Sequence, residues 1–223
     1  MAQEQGTFQD LNFESADLAP ENPVTAPNYV PIGSALPDWT GYIGGVQQTQ
    51  VEYNVTTLGT ASIGLLGPNW GGTAQAETGY GIIDGKYTAI LQTGEYSSEN
   101  GVNASIAQTG TIPGNAQSLQ FEAAFSTPEL IVSFAGNNLT LSAWSTGESP
   151  SGISYTVYGA DIAPYAGQTG TLEFTEVFDE SYPSAELDDI TFSTNSVSPE
   201  PNIVALTAIG GLLFGPLKWF ARR

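Results

Sequence analysis

The sequence predicts an all-β protein, an antiparallel β-sandwich followed by a single hydrophobic helix at the C-terminus. Three observations carry this reading. From Thr7 to about Ser193 apolar residues recur at every second position in short runs. The runs are punctuated by Gly, Pro, Asn and Ser, in a chain with 26 Gly and 14 Pro. No stretch before residue 200 carries the helical apolar period. Short strands with turn residues between them bury their apolar faces by packing two sheets together.

Taken in order, Ser62 to Leu66 and Tyr87 to Leu91 are near-continuous apolar runs, as expected of strands covered on both faces. Ser118 to Ala123 (SLQFEA) alternates, and Leu130 to Phe134 again reads as a more fully buried strand. Asn138 to Ala143 (NLTLSA), Ser154 to Tyr158 (SYTVY) and Thr171 to Thr175 (TLEFT) alternate, each with its apolar members on one face. Ser193 to Pro201 is polar and carries prolines, as a linker does. The expected organisation is a β-domain over residues 1–193, a linker over 194–201 and a C-terminal segment over 202–223.

Acids outnumber bases 23 to 4, for a net charge of −19. Such a surface repels nucleic acid and anionic lipid, and is compatible with neutral glycans or calcium. With no Cys and no His, disulfide scaffolds, Cys or His zinc sites and a Ser-His-Asp triad are all excluded. What remains for chemistry is carboxylates, Lys86, tyrosines and hydroxyls. A two-carboxylate glycoside hydrolase needs no His, but no pair of acids flanks a Trp in a way that marks one, so no enzyme is expected.

The basic residues are not scattered. Lys218, Arg222 and Arg223 close the chain behind the apolar run Ile203 to Leu217, which includes Leu206 and Leu213. As a helix that run spans about 22 Å, short of a bilayer core of about 30 Å. Extending it to Ala221, with Trp219 at the headgroups and Lys218 snorkelling, brings it to about 28 Å. The basic end then stays on the cytoplasmic side and the acidic domain lies outside. A C-terminal core helix is the other reading of a run this short. Met1 to Gly6 holds no apolar stretch of a secretory leader, so the expectation of export rests on the other end.

The order Pro199-Glu200-Pro201, apolar helix, terminal Arg-Arg resembles the PEP-CTERM sorting tail of Gram-negative bacteria. The resemblance covers the end of the chain alone. It implies export to the cell envelope or beyond, transient retention in the membrane, and processing by an exosortase at the Pro-Glu-Pro element. It also implies a setting of exopolysaccharide and biofilm. A second resemblance spans the body. Asn12-Phe13-Glu14, Leu36-Pro37-Asp38-Trp39-Thr40 and Leu187-Asp188-Asp189-Ile190-Thr191-Phe192 are similar to the frame of galactose-binding-like jelly rolls, of which carbohydrate-binding modules are members. That frame implies a jelly-roll-like sandwich with its first and last strands side by side, and Trp39 in the core.

Many such domains hold a structural calcium where the N-terminal segment meets the last strand. The resemblance therefore points to Glu14 with Asp188 or Asp189 as hard oxygen ligands. By alternation Asp188 shares a face with Ile190 and Phe192 and is expected to point inwards. Solvated strand-end acids are the alternative. For sugar recognition, which needs an aromatic platform beside hydrogen-bonding groups, the loop Gly67-Pro68-Asn69-Trp70-Gly71-Gly72 offers Trp70 and Asn69, with Tyr80 and Tyr96 in support. Trp70 is either an exposed platform or a plug packed back on the sandwich. The sequence thus predicts an exported, non-catalytic surface or matrix protein that binds extracellular polysaccharide, with a structural protein lacking a small ligand as the alternative.

Overall fold

The structure is a computed structural model, and it describes residues 6–18, 28–68, 70, 79–97, 99–125 and 130–197. The turn residues cut the described chain into β1 (Tyr29–Pro31), α1 (Ile32–Ala35), β2 (Thr40–Ile43), β3 (Val46–Gln47), β4 (Gln50–Tyr53), β5 (Ser62–Leu66), β6 (Thr88–Gln92), β7 (Gly94–Tyr96) and β8 (Glu99–Val102). The second half adds β9 (Ala104–Thr111), β10 (Ser118–Phe125), β11 (Leu130–Phe134), β12 (Asn137–Asn138), β13 (Ser142–Glu148), β14 (Ser154–Asp161), β15 (Thr169–Glu176) and β16 (Ser184–Ser193). The only other helical turn among the described residues is the 3₁₀ turn Ala163–Tyr165.

An eight-stranded sheet runs β1-β4-β5-β6-β16-β10-β14-β13 and a six-stranded sheet runs β12-β11-β15-β9-β2-β3, with β7 and β8 forming a small third sheet. Pairing is antiparallel except between β4 and β5. The protein is an all-β sandwich. Alternation decides which side chains meet: Leu119, Phe121 and Ala123 of β10 turn inwards against Val132 and Phe134 of β11 and Leu172 and Phe174 of β15. Phe121 meets Phe174 edge to face at 5.2 Å and 85°, a contact that joins the two sheets.

The N-terminal segment closes this core. Phe8, Leu11 and Phe13 are buried, and the backbone reaches both sheets, from Thr7 N–H to Thr111 carbonyl at 3.1 Å and from Ile190 N–H to Leu11 carbonyl at 2.9 Å. Trp39 is 4% exposed, packs 5.7 Å from Phe13 and donates its indole N–H to the Asp10 carbonyl at 3.0 Å. The three dispersed pieces Asn12-Phe13-Glu14, Trp39 and Leu187 to Phe192 therefore converge on one end of the core.

Two strands differ from expectation. Asn138 to Ala143 is not one strand: Asn137–Asn138 pairs with β11 in the six-stranded sheet, and Ser142 opens β13 at the edge of the eight-stranded one. Leu139 and Leu141, which made the run look strand-like, pack against the core as the chain crosses between sheets. Leu130–Phe134 is covered on one face only, with Val132 and Phe134 buried and Ile131 39% exposed, because β11 lies next to the sheet edge. Pro199, Glu200, Pro201, Ile203, Leu206, Leu213, Lys218, Trp219, Arg222 and Arg223 all lie outside the described residues. Among the described residues no helix is long and apolar enough to cross a membrane.

Candidate functional site

β16 carries a bulge: Gln120 and Glu122 of β10, with one residue between them, pair with Thr191 and Asp188, which have two between them. Asp189, at φ 43°, is the point where the backbone turns. One extra residue reverses the parity of the strand, so Leu187 and Ile190 both face the core while Asp188 faces out of the sandwich. This corrects the expectation that Asp188 shares a face with Ile190 and Phe192.

Outward does not mean exposed. Glu186 and Asp188 are each 1% exposed, because the strap from Tyr80 to Tyr87 lies across this face and its backbone is tied to carboxylates. Gly81 N–H donates to Glu186 Oε1 at 2.6 Å. Asp84 N–H donates to Asp188 Oδ2 at 3.2 Å, and Thr88 Oγ1 donates to the same oxygen at 2.6 Å. The other Asp188 oxygen takes the Asp189 N–H at 2.9 Å. At the far end of the strap, Glu14 Oε1 accepts from Lys86 N–H at 2.6 Å and from Tyr87 N–H at 3.0 Å. Gly85 allows this approach: a Cβ there would lie 2.3 Å from Glu14 Oε1.

Glu14 and Asp188 therefore grip the same strap at different points, each as an acceptor of N–H or O–H donors. Asp189 is half-buried beside Asp84. Among the described residues no group of three or more acids is disposed to hold a metal ion. Glu14 Oε1 meets the strap at Lys86 and Tyr87, and Asp188 Oδ2 meets it at Asp84. Burial pushes the Glu186 carboxyl up to about 8, against the pull of its Gly81 bond, and Asp188 up to about 7 against three such bonds.

The aromatic candidates lie at the strap's start. Trp70 is half-buried; its backbone N–H meets Gly67 carbonyl at 2.8 Å and its indole N–H donates to Tyr80 carbonyl at 2.9 Å. Tyr80, also half-buried, shares a hydrogen bond with Ser184 Oγ at 2.7 Å. The turn below them is set by Asn54, which accepts from Gly67 N–H at 2.7 Å and donates to Pro68 carbonyl at 3.1 Å. Gly67 itself passes between tyrosines: a Cβ would come within 2.8 Å of Tyr53 and 2.7 Å of Tyr87. The structure brings Trp70 and Tyr80 together. Asn69 lies outside the described residues, and Tyr96 sits on β7, accepting a hydrogen bond from Gln48 at 3.2 Å.

Sequence reasoning missed a second aromatic pair. Trp144 is the extra residue of a bulge on β13, between Ala143 opposite Tyr158 and Ser145 opposite Val157. Its ring lies against Gly159, whose Cβ would meet Cε2, Cζ2 and Nε1 at 2.8–3.0 Å. Tyr155 crosses Gly147 on the paired strand in the same manner, with Cζ 2.4 Å from where a Cβ would be. Tyr158 stacks on Phe121 in the core, so alternation puts Gly159, Val157 and Tyr155 on the outer face with Glu122. The signal available in the sequence was two glycines, Gly147 and Gly159, inside strand patterns, a mark of close approach.

No protein-family model matches the chain, and no curated protein is found to be similar to it. Among solved structures, the carbohydrate-binding module TmCBM61, determined in complex with β-1,4-galactotriose, is similar over 85% of this chain and 99% of its own, at 9% identity and a TM-score of 0.40. The enzymatically active domain of tailspike protein 4 of bacteriophage CBA120 is similar over 70% of this chain, at 10% identity and a TM-score of 0.34. This chain spans 19% of the tailspike structure. At these scores neither likeness extends to what the chain binds or does.

Proposed function

We propose that the chain is a non-catalytic protein of the cell surface or extracellular matrix that binds a neutral glycan. The observation that carries this is the Trp70 platform. Its ring is partly exposed while its indole N–H is held on the Tyr80 carbonyl at 2.9 Å, so the ring is oriented before any ligand arrives. Stacking a pyranose on a ring already fixed avoids the entropy of ordering a loop, and the net charge of −19 disfavours anionic ligands. Export and sorting by an exosortase are part of the proposal, supported by Pro199-Glu200-Pro201, the apolar run and the basic end.

Trp70→Ala tests the binding claim. Affinity for a retained glycan falls about tenfold or more, the scale of an aromatic hot spot, and the contact survives high salt because it is apolar. If Trp70→Ala leaves affinity unchanged but lowers stability by about 3 kcal/mol or more, as truncating a core aromatic does, Trp70 is a plug and a structural protein without a small ligand is the better reading.

A further inference from the structure

We infer that the outward face of β10, β14 and β13 is a second glycan site, which takes an internal stretch of an extended neutral polysaccharide laid along β14. The inference rests on the glycan-binding reading above and adds to it a place, a ligand shape and residues distinct from Trp70. Trp144 and Tyr155 lie flat on this face because Gly159 and Gly147 have no Cβ to hold them off. A ring lying flat on backbone presents its other face to a ligand, and a sugar's C–H face stacks on it. Neither ring packs on the core cluster, and both are half-buried.

Their spacing sets the ligand's length. Gly159 under Trp144 and Tyr155 are four residues apart on β14, about 13 Å at the rise of a strand. That separation is too long for one sugar ring to reach both platforms, so a chain of several units is required.

The polar groups between the rings point to the ligand's chemistry. Glu122 pairs with Val157, between the two platforms. Its Oε2 is covered and has no hydrogen-bond partner, and the same holds for Trp144 Nε1. The Glu122 carboxyl hydrogen-bonds the Tyr155 side chain. Trp144 Nε1 as a covered donor and Glu122 Oε2 as a covered acceptor are both left without partners on one face of one sheet, an uncommon pair in a folded protein. A hydroxyl can accept from the first kind of group and donate to the second, so turning either side chain onto a sugar hydroxyl gains a bond that the free protein lacks.

Charge completes the selection. Asp84 and Asp189 lie beside Glu122, and the strap residue Asp84 borders the face on one side. Carboxylates accept bonds from hydroxyls and repel uronic acids, sulfates and phosphates, so the ligand is an uncharged chain.

The test uses the full chain in affinity electrophoresis through gels containing β-1,4-galactan, mixed-linkage β-glucan, xylan or dextran, with alginate as the anionic comparator. Calorimetry then compares a hexasaccharide with a disaccharide of the polysaccharide that retards the protein. The hexasaccharide is expected to bind at least about tenfold tighter, and Trp144→Ala and Tyr155→Ala are each expected to erase that advantage. Trp144→Phe keeps a ring and loses the N–H; it decides the matter, with Tyr155→Ala, if Trp144→Ala does not fold by circular dichroism. An unchanged length preference in Trp144→Phe and Tyr155→Ala overturns the site. Loss of binding in Trp70→Ala alone overturns this site and leaves the glycan-binding reading standing. Retardation by alginate only overturns the neutral ligand, and retardation by none of the polysaccharides overturns both readings.

Discussion

Raising the pH should loosen this protein, and Glu186 is the residue through which the effect is largest. Its carboxyl is 1% exposed and is pushed from 4.5 up to about 8 by burial, with nearby Asp188 adding to the rise. A folded pKa above the unfolded one means that the native state binds more protons between those values. The stabilisation is then complete below about pH 4.5, declines as pH rises, and is gone above about pH 8. At 1.36 kcal/mol per unit the shift converts to roughly 5 kcal/mol, a ceiling, since the strap can lift and let water reach the carboxylate. For a domain of this size that is a fall in Tm of roughly 10–20 °C. Thermal unfolding followed by circular dichroism at constant ionic strength, from pH 5 to pH 9, measures it. Self-repulsion in a chain of net charge −19 acts in the same direction, so the control is Glu186→Gln, which still accepts the Gly81 N–H and cannot ionise. Its slope should be markedly flatter. A wild-type Tm that is the same at pH 5 and pH 9, or a Glu186→Gln profile parallel to the wild type, refutes the reasoning.

Glu14→Gln replaces a charged acceptor of two backbone N–H groups by a neutral one and should cost about 1–2 kcal/mol in denaturant unfolding. If Glu14 serves the strap alone, the loss should be the same with calcium and with chelator; a loss seen only with calcium supports a metal site at Glu14. Truncation after Ser198 should leave β-sheet circular dichroism and Tm intact, since β16 ends at Ser193, while the apolar end no longer draws the chain into membranes on cell fractionation. Aggregation or loss of the sheet signal would make the C-terminal segment part of the core.

Most of the fold was legible because alternation is a local property. Ser62–Leu66 was readable as a fully covered strand, and it is one, lying centrally with β4 and β6 on either side. Trp39 was readable as core because its frame implies it, and it packs 5.7 Å from Phe13. Asn138 to Ala143 misled because alternation is also what a chain shows when it crosses from sheet to sheet over a core edge. The apolar residues Leu139 and Leu141 face inwards in either case, and nothing local tells which sheet accepts the backbone hydrogen bonds.

The candidate sites were less legible, and for one physical reason in two places. A β-bulge adds a single residue and reverses which face every later side chain takes, yet it needs no distinctive residue to form. On β16 the extra residue turns Asp188 from the core to the strap, where it accepts from Asp84 N–H and Thr88 Oγ1. On β13 the extra residue is Trp144 itself, which period-two counting assigns to whichever face its neighbours suggest. The consequence is opposite in the two strands. The bulge on β16 buries charge beneath the strap and makes the face around it sensitive to pH, whereas that on β13 brings an aromatic ring onto the open part of the same sheet. If the ring on β13 is a platform, adding a methyl at Gly159, whose Cβ would strike it at 2.8 Å, has to tilt the ring and weaken binding without touching any ligand atom.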